Sequence, residues 1–450
     1  MKTQQIFSNQ STAFTFRRAC VFPAKILIPA LAAALLAGGA AAQTNAPPPS
    51  LKEAYKEHFY VGAAISRAIA MNVVLETNDI DNVIRGKDDN YKDAALVNRQ
   101  FNLVVSENDM KWDRVHPQEG PGGYDFRPAD AFVNFGLSNH MYIVGHALIW
   151  HEQTPDWVFQ GTNMPPGGID ALTPRPTGQG RGRFGRSSDA TSAGYSSGGP
   201  VKPRATRDEL LQHMRDHITT VVGRYKGKVK VWDVVNEAIS DDAGSSLLRS
   251  SFWLQIIGPD YIAKAFEYAH EADPDAILRF NDHGMENPGK RQRFITVIKS
   301  LQEQHAPVMA IGLQSHVSLN SPTPEAEDQA LTDLETLGLP IHITELDVAG
   351  EIGNQPGAGT NSTTNSTTNS APQSGAMVDS NQKLADQYAN LFRVFMKHEK
   401  SIKMVTFWGV NDAICWRADG HPLLFDGNDR PKPAFDAVIR VVTGNRPKSP

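Results

Sequence analysis

Short β-branched apolar runs recur along the chain from about Ser50 onward, and between them lie longer stretches whose apolar residues repeat at helical spacing. The runs predict strands near Tyr60–Ile65, Phe101–Ser106, Met141–His146, Val229–Val235, Ala276–Asn281, Met309–Gln314, Pro340–Glu345 and Lys403–Trp408. Helices are predicted between them, among them Arg207–Tyr225 and Asn381–His398. Alternation of this kind builds a parallel sheet, because a parallel connection needs a crossover long enough to hold a helix. Eight such units close on themselves, so the expected fold is α/β: a single (β/α)8 TIM barrel over residues 50–442.

Two stretches break the pattern. Gly161–Arg204 is rich in Gly, Pro, Ser and Arg, and Gly353–Ala376 is an uncharged run containing Asn361-Ser362-Thr363-Thr364 and a near repeat from Asn365. Both read as flexible insertions into the barrel, at residues 161–204 and 353–376. The segment 1–42 reads as a signal peptide: Arg17, Arg18 and Lys25 precede an apolar stretch, Ile26 to Leu36, that leads into Ala40-Ala41-Ala42. Its apolar core is shorter than the ~20 residues a membrane span needs. The mature protein is therefore expected in a secreted or periplasmic location without a membrane anchor, and Arg17-Arg18 leaves both the general and the twin-arginine export routes open.

Charge and cysteine content narrow the partners. The formal charge is −5, and removing Lys2, Arg17, Arg18 and Lys25 with the leader takes it to −9. A surface of that sign disfavours nucleic acid and suits a neutral polymer. Cys20 falls in the leader, so Cys415 is left alone and no internal disulfide can form; it reads as a small buried hydrophobe.

Candidate chemistry sits where the strands end. Glu237 closes Trp232-Asp233-Val234-Val235-Asn236-Glu237, and Glu345 lies in Ile341-His342-Ile343-Thr344-Glu345-Leu346-Asp347. Two carboxyls at the ends of separate strands suit cleavage of a sugar acetal: one protonates the leaving oxygen and the other attacks. That division requires surroundings that raise one pKa and keep the partner ionised. The amide of Asn236 can bind the sugar 2-hydroxyl, which makes its neighbour Glu237 the expected acid/base. Glu345 is then the nucleophile, oriented by His316 with Asp347 behind it. His146, His151 and His316 fall on different strands without the close ligand spacing of a zinc site, so neither metal nor cofactor is expected.

These motifs resemble glycoside hydrolase family 10 endo-β-1,4-xylanases over about Ser50 to Val442, apart from the two insertions. The resemblance rests on Ser106-Glu107-Asn108-Asp109-Met110-Lys111-Trp112, His146-Ala147-Leu148-Ile149-Trp150-His151, the two glutamate motifs, Gln314-Ser315-His316, and Trp408 followed by Trp416. It implies that Glu107, Asn108 and Lys111 bind the sugar on the non-reducing side of the cleaved bond, and that His146 and Gln314 orient the reacting sugar. Trp150, Trp408 and Trp416 would offer faces to pyranose rings. Xylan and xylo-oligosaccharides would be the substrates of a monomeric enzyme working with retention. A retaining β-glycosidase acting on another β-glycan or on aryl glycosides would carry the same pair, whereas a non-catalytic carbohydrate-binding relative would be expected to lack one glutamate. One position departs from the family: Asn281-Asp282-His283 stands where Asn-Asp-Tyr is usual, so His283 replaces a tyrosine on the leaving-group side. An imidazole there is expected to stack less, and near neutral pH it can carry a charge.

Overall fold

The computed structural model describes residues 49–74, 86–161, 204–242, 244, 246–350 and 374–444, all within the unit Pro48–Pro450. The expected leader and nearly all of both expected insertions lie outside the described residues. Among the described residues nine parallel strands are present: β1 Tyr60–Ile65, β2 Leu103–Ser106, β3 Tyr142–Gly145, β4 Val231–Asn236, β5 Ile277–Asp282, β6 Ala310–Leu313, β7 His316–Ser318, β8 Ile341–Ala349 and β9 Ile402–Phe407. β1 to β6 pair in sequence order, β1 also pairs with β9, β9 with β8, and β8 with β6. That last pairing, Ile311 opposite Ile341, closes an eight-stranded barrel. Closure leaves the barrel strands without a free edge.

Helices cover the outside, and their ends follow ordinary chemistry. Arg207–Arg224 opens with a capping box in which Thr206 Oγ1 accepts from the Glu209 amide and Glu209 Oε2 accepts from the Thr206 amide. Pro288–Glu303, Pro324–Glu335 and Pro433–Thr443 each begin with proline, whose fixed φ suits a first turn. Leu278 and Phe280 on β5 and Trp232 and Val234 on β4 are fully buried in the layer between strands and helices. Each such side chain contributes ~1.5–3 kcal/mol by leaving water. The long helix Ser374–Lys397 starts before the expected Asn381 and takes in the end of the expected second insertion, because Ser374-Gly375-Ala376 carry no apolar period to announce it.

Inside the barrel, apolar residues give way to ions. Ala64, Leu103, Val105, Val144, Val231 and Met404 form one apolar cluster. Beside it Arg279 binds Asp233 through Nε at 2.6 Å and Nη2 at 2.9 Å, and its Nη1 lies 3.2 Å from His342 Nδ1. Burial opposes the charge on Asp233, but Arg279 and His146 outweigh it and hold the carboxyl at about 2. Burial, aided by Arg279, pushes the His342 pKa well down, so that ring is a neutral partner.

The short β7 was not foreseen from the sequence. It pairs His316 with Asp347, Val317 with Val348 and Ser318 with Ala349, which is why β8 runs on to Ala349 instead of stopping at Glu345. Among the described residues no helix is long and apolar enough to cross a membrane.

Candidate active site

The candidate residues named above all stand at or just beyond the C-terminal ends of the barrel strands. Two irregularities in strand pairing aim the acidic ones. Between β4 and β5 the register shifts from Asp233 to Val235, and Asp233 and Asn236, three apart, both reach the buried polar interior, which an unbroken alternation would forbid. Between β8 and β9 the register shifts across Ile343 and Leu346. There the consecutive residues Thr344 and Glu345 both meet Asn281: Thr344 Oγ1 donates to Asn281 Oδ1 at 2.7 Å, and Asn281 Nδ2 donates to Glu345 Oε1 at 2.7 Å. Gly312 on β6 leaves room for that amide, since a Cβ there would stand 2.4 Å from Asn281 Oδ1.

Hydrogen bonds connect the two glutamates. From Glu345, Asn281 Nδ2 also donates to Asn236 Oδ1 at 2.9 Å. Gln314 Nε2 donates to the same oxygen at 3.2 Å and to Glu237 Oε1 at 2.9 Å. Asn236 Nδ2 lies 3.4 Å from Glu237 Oε1. Glu237 has a left-handed backbone, φ +56°, and Ser315 beside Gln314 has φ +58°. Such conformations cost of order 1–3 kcal/mol each and persist only where the surroundings enforce them.

Glu345 sits in front of a relay. Its Oε2 is 3.2 Å from His316 Nε2, and His316 Nδ1 is 3.0 Å from Asp347 Oδ2. Asp347 is fully buried and accepts from Trp416 Nε1 at 2.7 Å and Arg417 Nη1 at 2.9 Å. Burial works against a charge on His316, but Asp347 and then Glu345 outweigh it and raise its pKa to about 9. An imidazolium thus faces Glu345 at neutral pH.

Glu237 is in different surroundings. Burial is the largest influence on it and pushes its pKa up; His151, His283, the Gln314 amide and Arg249 together pull it to about 2. His151 is itself held at about 4 by burial. The expectation that the site raises the acid's pKa therefore does not hold in this structure. Too many donors and basic groups face the carboxylate for burial to win.

The remaining residues form two groups. Lys111 Nζ binds Asn108 Oδ1 at 3.0 Å and Gln153 Oε1 at 2.8 Å and stands 5.0 Å above the Trp150 ring. Burial lowers its pKa against the pull of Glu345, Glu107, Asp113 and Glu237, so the buried Glu107 and both catalytic candidates share its field. His146 Nδ1 binds Asp233 Oδ2 at 2.9 Å, which leaves Nε2 as the nitrogen available to a sugar hydroxyl, and its ring meets Trp408 edge-on at 5.2 Å. His316 lies edge-on to both Trp408 and Trp416. His283 instead lies beyond Glu237, against Arg249 and Lys290.

Sequence reading passes over Asn281, Gln153, Arg249 and Arg417. Asn281 stands in the very motif that singled out His283, and Arg417 follows Trp416, so both were within reach; Gln153 and Arg249 lie in loops with no pattern to mark them. Burial pushes the Cys415 thiol up, in keeping with an inert side chain. Among the described residues no cluster of three or more His, Cys, Asp or Glu is arranged to hold a metal ion.

Residues 50–170 and 197–441 match the family Glycosyl hydrolase family 10. The β-1,4-xylanase of Dictyoglomus thermophilum is 34% identical over 399 residues, covering 87% of this chain and 91% of that protein. The endo-1,4-β-xylanase of Geobacillus stearothermophilus is 35% identical over 400 residues, covering 87% and 98%. A solved structure of a mutant intracellular xylanase from Thermoanaerobacterium saccharolyticum with xylotetraose aligns with a TM-score of 0.63 at 33% identity, covering 87% of this chain and 98% of that one.

Proposed function

The chain belongs to glycosyl hydrolase family 10, and from that premise we propose that it is an endo-β-1,4-xylanase that cleaves internal xylosidic bonds with retention, Glu237 serving as acid/base and Glu345 as nucleophile. The observation that carries the residue roles is the unbroken chain of hydrogen bonds from Glu237 through Gln314, Asn236 and Asn281 to Glu345. Glu345, oriented by His316, attacks the anomeric carbon as the Glu237 proton passes to the leaving oxygen, giving a glycosyl-enzyme and a shortened xylan chain. Water then adds to the anomeric carbon, its proton returning to Glu237 as Glu345 leaves. Asn236 and Gln314 hold the amides that orient Glu237, and Lys111, Asn108, His146 and the three tryptophans serve the sugar on the glycone side.

Glu237 must take up its proton with the substrate. A sugar over the cleft deepens burial, the influence that already pushes this pKa up, and competes for the Gln314 amide that pulls it down. The test is proton NMR of xylan digestion. A β-anomer as first product and internal cleavage support the reading; an α-anomer first, or release of single xyloses from one end only, overturns it.

The leader-like segment 1–42 supports export of the enzyme to where polymeric xylan is found. Sequencing the amino terminus of protein collected outside the cytoplasm tests this: a start near Gln43 agrees, and a full-length cytoplasmic protein rejects it.

A further inference from the structure

The chain turns back on itself after β4. Ile239 bridges Leu248 in antiparallel fashion, the Ser240 amide donates to the Leu247 carbonyl at 3.1 Å, and the Arg249 amide donates to the Ala238 carbonyl at 2.7 Å. That pairing returns Arg249 to a residue 12 positions earlier, where its Nε donates to the Glu237 carbonyl at 2.9 Å. Its Nη2 donates to Asp241 Oδ2 at 2.6 Å, and Lys290 Nζ holds Asp241 in turn at 2.6 Å. The Arg249 side chain is 11% exposed. On its other side Glu237 donates its own amide to the Asn281 carbonyl at 2.9 Å, so both of its backbone polar groups are held from outside.

We propose that Arg249 is a positioning residue for the acid: its guanidinium clamps the Glu237 carbonyl and so keeps this residue in the left-handed conformation that sets where its carboxyl stands. The inference rests on Glu237 being the acid/base. At φ +56° Glu237 lies uphill of the extended backbone open to any L-residue, so contacts outside the residue must oppose its relaxation. A guanidinium suits that task because its donors are fixed in one plane: Nε serves the carbonyl while Nη2 is anchored on Asp241. A single ammonium nitrogen cannot occupy both donor positions. Holding the carbonyl instead of the carboxylate fixes the acid in place without tying its proton to an ion pair.

The test is kcat/KM on two aryl xylobiosides in Arg249→Met, which keeps a long unbranched side chain and removes the donors. On phenyl xylobioside, whose leaving group needs a proton, the variant should lose about 10²-fold, the scale of a reacting group displaced by about 1 Å. On dinitrophenyl xylobioside, which needs none, the loss should stay within about threefold, and that rate also shows that the nucleophile and the fold are intact. Arg249→Lys keeps the charge without the two-point clamp and should still lose about tenfold or more on phenyl xylobioside alone; it decides the matter if Arg249→Met does not fold. Added to Glu237→Ala, Arg249→Met should cost less than about twofold further on phenyl xylobioside, since a residue acting through Glu237 then has nothing to act on. No loss, equal losses on the two substrates, full activity in Arg249→Lys, or losses that multiply in the double variant overturn the proposal. Failure of the Glu237 assignment is seen separately: Glu237→Ala with Arg249 intact would then lose no more on phenyl than on dinitrophenyl xylobioside.

Discussion

Two flanks of one cleft treat their carboxylates in opposite ways. Glu345 is backed by a relay in which each member is fixed by the next: His316 by Asp347, and Asp347 by Trp416 and Arg417. Glu237, itself a left-handed residue, is held by the amides of Gln314 and Asn236 among basic groups on the loops after β3, β4 and β5. A nucleophile has one protonation state to keep, so a buried ion relay suits it. An acid/base must change state twice per turnover, and a carboxyl tied into a permanent ion pair could not.

Breaking the relay's purpose outright gives the largest effect. Glu345→Ala should lower turnover at least about 10⁴-fold on xylan and on dinitrophenyl xylobioside alike, because no leaving group compensates for a missing nucleophile. Near-normal rates on the activated substrate would remove Glu345 from that role. Glu237→Ala should cost ~10²–10⁴-fold on xylan while largely sparing the first step on dinitrophenyl xylobioside, whose leaving group needs no proton. Equal losses on both substrates, measured as formation of the glycosyl-enzyme, would reject Glu237 as the acid.

The pH profile sharpens the contrast. Activity that needs a proton on Glu237 falls as pH rises through its pKa, and binding moves that pKa upward. The basic limb of kcat, which reports the bound enzyme, should lie at higher pH than that of kcat/KM, which reports the free enzyme. Coincident limbs would mean that sugar binding does not retune Glu237.

The smallest expected effect is on stability. The folded pKa of His316, about 9, lies above its ordinary value of 6.5, so its ion pairs stabilise the fold fully below about pH 6.5, and that contribution is lost as pH rises through about 9. His316→Gln should flatten the fall in Tm between those pH values. A variant whose Tm drops as steeply as the parent's would show that the charge on His316 does not support the fold.

The barrel was legible because its strands are buried on both faces and therefore read as unbroken apolar runs. β1 falls on its expected bounds, Tyr60–Ile65, and β2 to β6 and β9 lie within two residues of theirs. β7 was not, since His316-Val317-Ser318 is too short and too polar to announce a strand. Of the site, the two glutamates, His316, Asp347 and the tryptophans were named from sequence, while Arg249, Arg417 and Asn281, which touches Glu345, Asn236 and Thr344 at once, were read past.

By itself the sequence determined the repeating strand and helix units, the barrel they close into and the two glutamates at strand ends, because burial and backbone periodicity are written locally in residue order. Which side chain faces which was decided only by the tertiary structure. The register slips in β4 and β8 turn Asn236 and Glu345 inward, and the side-by-side pairing of β4, β5 and β6 brings Gln314 to Glu237 from 77 residues away. Those encounters also set the protonation of His316 and the low pKa of Glu237, since both depend on through-space distances between charges that no local pattern records.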